Sequence, residues 1–156
     1  MTTNKPQFVY VTYIASTPEK VFDALINPEI VKEYWWRHKN ASDWKVGSRW
    51  EHQLCDDPKE VQIVGKVLEF KPPHRMVITW SKPSDEGKPE KTSRVTFEIA
   101  PHEGSVRLIV THDELEPESK MLHDISQGWP MVLSALKSLL ETGETLPMAK
   151  KGSSCK

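Results

Sequence analysis

The 156-residue chain has only two cysteines, Cys55 and Cys155. That is too few for the disulfide framework that staples small secreted domains, and it suits a reducing cytosol. The opening MTTNKPQ carries no apolar signal core, and no apolar run approaches the roughly 18–20 residues needed to cross a bilayer. A cytoplasmic protein without membrane insertion is expected. Basic and acidic residues balance, 21 against 22, for a formal net charge of −1. With no long basic block, a nucleic-acid surface is not expected. Several chemistries are missing by motif. There is no G-x-S-x-G, and the serines fall in turns and caps. No glycine-rich loop leads from a strand into a helix to cradle a phosphate. No C-x-x-C or H-x-x-x-H occurs, and His52 and Cys55, three apart on a strand, face opposite ways. Neither a metal nor a cofactor is expected.

Tryptophan is plentiful, at six against three tyrosines and four phenylalanines. Each buried indole removes about 150–250 Å² from water, so six could serve a core. Each also carries an N–H that needs a partner, which suits a pocket wall for an amphipathic ligand.

The strongest periodic signal is GWPMVLSALKSLLETG, from Gly128 to Gly143. Trp129, Val132, Leu133, Leu136, Leu139 and Leu140 recur at helical spacing and form one apolar stripe. Met121 and Ile125, ahead of it, read as a lid or an extension of that helix. At the other end, Phe8 to Ile14 is β-branched and aromatic, a strand by propensity. Ser16 with Glu19 reads as a capping box for a helix from Thr17 to Ile26. Asn27-Pro28 then opens a second short helix over Glu29 to Trp35. Strands are expected over Ser42–Lys45, Ser48–Leu54, Glu60–Phe70 with a bulge or bend at Gly65, Arg75–Ser81, Ser93–Ala100 and Ser105–Asp113. Lys82 to Lys91 reads as a mobile hairpin loop. The tail from Pro147 reads as disordered, leaving residues 1–146 as a single domain.

This order predicts an α+β fold in which a curved antiparallel sheet grips the final helix and encloses a cavity. Strand alternation places Trp50 and His52, then Met76, Ile78 and Trp80, then Leu108, Val110 and His112 on inward faces. With Trp129 and Leu133 of the helix, these ten residues are the expected cavity wall. His52 and His112 would be its polar contacts, although an inward histidine is more often a satisfied structural residue. No catalytic residue is assigned. Trp35 and Trp36 diverge by about 100° on a helix end, so one can pack inward while the other faces the cavity mouth or the surface beside Arg37 and His38.

The segment IASTPEKVFDALINPEIVKEYWW resembles the opening of the activator-of-heat-shock-protein-90-ATPase homologue family, within the START, polyketide-cyclase and Bet v 1-like superfamily. The resemblance continues through WKVGSRWE, GKVLEFKPPHRMVITW, SRVTFEIAP, SVRLIVTHDEL and GWPMVLSALKSLLETG, covering roughly residues 8 to 145. It implies a helix-grip fold, with about seven antiparallel strands around a long C-terminal helix and a deep apolar cavity. Superfamily relatives bind lipids, sterols, polyketides, flavonoids or hormones, and a minority cyclise or dehydrate them. Binding of a hydrophobic small molecule is therefore the leading expectation. The alternatives are a cyclase or aromatase-type enzyme using His52 or His112 as general acid–base, and a stress-related co-chaperone acting through its surface. A chaperone or a second copy of the chain would then be the partner.

Overall fold

A computed structural model describes residues 5–151. The chain forms β1 (Phe8–Ile14), α1 (Pro18–Ile26), α2 (Pro28–Tyr34), β2 (His38–Ser42), β3 (Arg49–Leu54), β4 (Val61–Lys71), β5 (Arg75–Trp80), β6 (Ser93–His102), β7 (Ser105–Asp113) and α3 (Lys120–Thr142). Seven strands make one antiparallel sheet in the order β1-β7-β6-β5-β4-β3-β2. The first strand pairs with the last, Phe8 opposite His112 through Ile14 opposite Val106. β1 and β2 thus form the two edges, and α1 and α2 carry the chain from one edge to the other. This is the helix-grip α+β architecture.

Alternation along the strands builds the core as expected. Val95, Phe97 and Ile99 of β6 and Val106, Leu108 and Val110 of β7 are buried. Facing them on α3 are Ile125, Trp129, Val132, Leu133 and Leu136, while Leu139 and Leu140 are only partly buried. The helix starts eight residues before Gly128, so Met121 and Ile125 belong to it. Ser119 caps its start by accepting from the Leu122 N–H, and Gly143 ends it in the left-handed region at φ 86°.

Local chemistry explains where the sequence reading is revised. The cap of α1 is Thr17, not Ser16: its hydroxyl accepts from the Lys20 N–H, while the Ser16 N–H bonds back to the Ile14 carbonyl. The second strand covers His38–Ser42 rather than Ser42–Lys45, because Asp43 to Ser48 is spent on turns that carry the chain back into β3. Gly65 carries no register shift. It lies opposite Trp50, whose indole N–H crosses it to reach the Thr79 carbonyl at 2.8 Å, and a Cβ there would strike both groups. The ladder irregularities fall instead at His52/Gln53 and Val67/Glu69.

The Lys82–Lys91 loop holds two single turns of 3-10 helix. It is tied down by Arg49, which donates to both oxygens of Glu86 at 2.8 and 3.1 Å, and by Lys91 paired with Glu116. Pro147–Lys151 is a further 3-10 turn, with Ala149 fully buried against the core. The expectation of a disordered tail is corrected for that stretch; Cys155 and its neighbours lie outside the described residues. Among the described residues, no helix is long and apolar enough to cross a membrane.

Candidate functional site

A cleft of about 600 Å³ opens between α3 and the strands β3, β4 and β5. Trp35, His52, Trp80, Ile125, Trp129 and Val132 form its inner surface. Val61 and Ile63 of β4 form a side wall, and Gln62, Lys82, Pro83, Ser84, Met121 and Asp124 lie along it nearer the loop and the start of α3. The helix contribution follows from periodicity: Met121, Ile125, Gly128, Trp129 and Val132 share one face. Gly128 is the gap in that face, and a Cβ there would meet nothing within 4 Å. An adjoining hollow of about 270 Å³ shares Trp35, His52, Gln62, Gly128 and Val132 with the cleft and adds Trp36, His38 and Met131.

Trp35 reaches the cleft because α2 stops at Tyr34 and the chain turns sharply. Trp36 and Arg37 both adopt left-handed backbone, at φ 47° and 60°, which costs non-glycine residues roughly 1–2 kcal/mol each. Hydrogen bonds hold that turn. His38 Nδ1–H donates to the Trp36 carbonyl at 2.8 Å, and the Arg37 carbonyl accepts from the Cys55 N–H at 3.1 Å. The Trp35 ring then lies 5.5 Å from Trp129 and 4.7 Å from His52, and Trp129 lies 5.5 Å from Trp80. Three indoles and an imidazole thus form one continuous aromatic surface.

The two inward histidines differ in what they have left to offer. His112 is fully committed. Trp129 Nε1–H donates to its Nδ1 at 3.0 Å, its Nε2–H donates to Ser93 Oγ at 2.8 Å, and Ser93 donates to the Trp80 carbonyl at 3.0 Å. This chain fixes the tautomer and leaves no free nitrogen. His52 is committed on one side only. The Asn40 side-chain amide donates to the Leu25 carbonyl at 3.0 Å, so Asn40 Oδ1 accepts from His52 Nδ1–H at 2.7 Å. Burial pushes both histidines down to about 3, His38 adding to the effect at His52, so both are neutral at pH 7.

The model of the family "Activator of Hsp90 ATPase homolog 1-like protein" matches residues 15–141. The chain belongs to this family. Among solved structures, ChR145 from Cytophaga hutchinsonii is similar at 27% identity and a TM-score of 0.69, covering 89% of this chain and 96% of its own. Protein MLL2253 from Mesorhizobium loti is similar at 25% identity and a TM-score of 0.70, with 86% and 96% covered. PFC0360w, an HSP90 activator from Plasmodium falciparum, shares the fold at 22% identity and a TM-score of 0.70, with 86% and 95% covered. No curated protein matches the sequence.

Within this Hsp90-activator-like domain, the ten residues expected at the cavity divide. His52, Trp80 and Trp129 line the cleft. Trp50, Met76, Ile78, Leu108, Val110, His112 and Leu133 are buried in the packed core around it, with Trp50 5.5 Å from Trp80 and His112 supporting Trp129 from behind. Alternation finds the inward face of a strand, but it cannot tell which inward residues touch helix and which touch open space. Twelve of the fifteen lining residues lie outside the expected wall, Trp35, Ile125, Gly128 and Val132 among them. The signal for Gly128 is present in the sequence, as a glycine two residues before Pro130 within an amphipathic pattern. Among the described residues, no group of three or more His, Cys, Asp or Glu is placed to hold a metal ion.

Proposed function

We propose that the domain binds a hydrophobic small molecule in the tryptophan-lined cleft. The observation that carries this reading is an unfilled space of about 600 Å³ floored by Trp35, Trp80 and Trp129, inside a fold whose core is otherwise packed. Small-molecule sites have this size, with apolar walls and few polar groups. The mid-helix glycine supports it further, because Gly128 costs the helix roughly 1 kcal/mol relative to alanine and keeps the cleft open.

The histidines do not favour acid–base chemistry. His112 has no free nitrogen, and His52, with a conjugate acid near 3, has no proton on its open Nε2 at neutral pH and is a weak base there. A chaperone as partner, bound through the surface, is the competing reading, motivated by the family's description. Native mass spectrometry of freshly purified protein, with titration of a fluorescent fatty or aromatic probe, separates the two. A retained apolar molecule, or probe binding that quenches Trp35, Trp80 or Trp129, supports the cleft. An empty protein indifferent to a broad probe panel removes the binding reading and leaves the surface role.

A further inference from the structure

Resting on the cleft reading, we infer that the site selects aromatic ligands bearing a hydrogen-bond donor, a phenolic hydroxyl being the simplest, and that Nε2 of His52 accepts that donor. Three observations converge on this atom. The imidazole lines both the cleft and the adjoining hollow, so its unbonded edge borders the open space. Its Nδ1–H is held by Asn40, whose own amide is oriented by the Leu25 carbonyl, so the tautomer is set and Nε2 carries the lone pair. Among the described residues Nε2 has no hydrogen-bond partner, yet it is not one of the sealed, unpartnered polar atoms, which are Trp80 Nε1 and Arg107 Nε.

Among the described residues, the rest of the inner surface holds no second acceptor, since the indole N–H of Trp35 can only donate. The Trp129 N–H is spent on His112, and the Trp80 N–H is sealed. Gln62, Lys82, Ser84 and Asp124 complete the polar lining; Gln62, Lys82, Ser84 and Asp124 are all exposed residues, and Asp124 is already paired with Lys120 at 2.8 Å. Neutral His52 therefore presents an acceptor within an aromatic surface. A ligand with a matching donor gains a bond there, and one offering only an acceptor opposes a lone pair. Stacking of His38 on His52, with ring centroids 4.9 Å apart and planes 9° from parallel, keeps the imidazole from turning away.

Isothermal titration of the full chain with naphthalene, 2-naphthol and 2-methoxynaphthalene tests this. The three share an aromatic body and differ in offering no polar group, a donor, or an acceptor alone. Naphthol should bind about three- to tenfold more tightly than methoxynaphthalene, the range one neutral hydrogen bond supports. In His52→Phe that preference should vanish while naphthalene still binds. The imidazole nitrogen resonances of the unmodified protein supply a readout independent of any variant: the Nε2 signal of His52 should move with naphthol and stay put with naphthalene. Equal binding of naphthol and methoxynaphthalene, or an unmoved Nε2 signal, overturns the inference while leaving the cleft reading intact. A preference that survives in His52→Phe assigns the recognition elsewhere and overturns it too. If none of the three binds, the cleft reading itself falls.

Discussion

Gly128 and Gly65 show how the same residue type serves opposite ends. At Gly128 a methyl group would project into free space. Gly128→Ala should therefore raise stability by about 0.5–1 kcal/mol through helix propensity, while a larger side chain there, as in Gly128→Leu, should weaken probe binding in the cleft. Denaturant titration beside probe titration checks both, and a stabilised variant with undiminished affinity for Gly128→Leu would place the ligand elsewhere. At Gly65 a methyl group would strike the Thr79 carbonyl and the Trp50 indole nitrogen. Gly65→Ala should cost about 1–3 kcal/mol, because backbone or indole must move and the partly buried Trp50–Thr79 bond is lost. Both glycines are visible in the sequence. Their difference is not, because it depends on which side chain crosses from the neighbouring strand.

The grip helix α3 does more than fill the sheet. Lys137 Nζ donates to the Tyr13 carbonyl at 2.7 Å, and Glu141 accepts from the Ala15 N–H at 2.8 Å, so the helix also covers one end of the edge strand β1. Its fully buried Leu136 anchors the packing. Leu136→Ala should destabilise the domain by about 2–5 kcal/mol, and a loss under half a kcal/mol in urea unfolding would contradict that packing. The Lys82–Lys91 segment is a contrasting case. Its polar sequence predicts a loop, yet the fold ties it to β3 through Arg49–Glu86 and sets Lys82, Pro83 and Ser84 against the cleft. Replacing residues 84–90 by a short glycine-containing turn should leave the domain folded, since exposed ion pairs contribute little. The same change should lower affinity for an aromatic probe by opening the cleft on that side.

Acid should weaken the domain through its two buried histidines. Their folded values near 3 lie below the ordinary 6.5, so the unfolded chain binds protons more readily. Stability is therefore greatest above pH 6.5 and falls as pH drops from there toward about 3. Between pH 7.5 and 5 the loss should be about 2 kcal/mol per histidine. Glu69, Glu86 and Glu141, held below the usual carboxylate range by hydrogen bonds from Arg75, Arg49 and Lys137, add their share only below about 4.5. Unfolding in urea at pH 7.5 and 5 checks this, and a pH-independent midpoint would show that both imidazoles stay accessible to protons.

Seven strands, two short helices and a long closing helix were legible from the sequence because each rests on a local signal: propensity or period two along the strands, capping residues at the short helices, and a period close to 3.6 along α3. Periodicity depends only on neighbours in the chain, so core residues such as Leu108, Val110 and Leu136 declared themselves. The boundaries that failed, at Thr17, β2 and Pro147, depend on which of several polar groups or contacts wins a local competition. The cleft was decided by tertiary structure alone. Trp35 enters it only because the Trp36–Arg37 turn is forced into left-handed backbone. Among the described residues, His52 keeps an unpartnered nitrogen, and His112 none, because of partners 12 to 19 residues away. Which inward side chain meets protein and which meets open space is a matter of packing between distant segments, and no local pattern carries it.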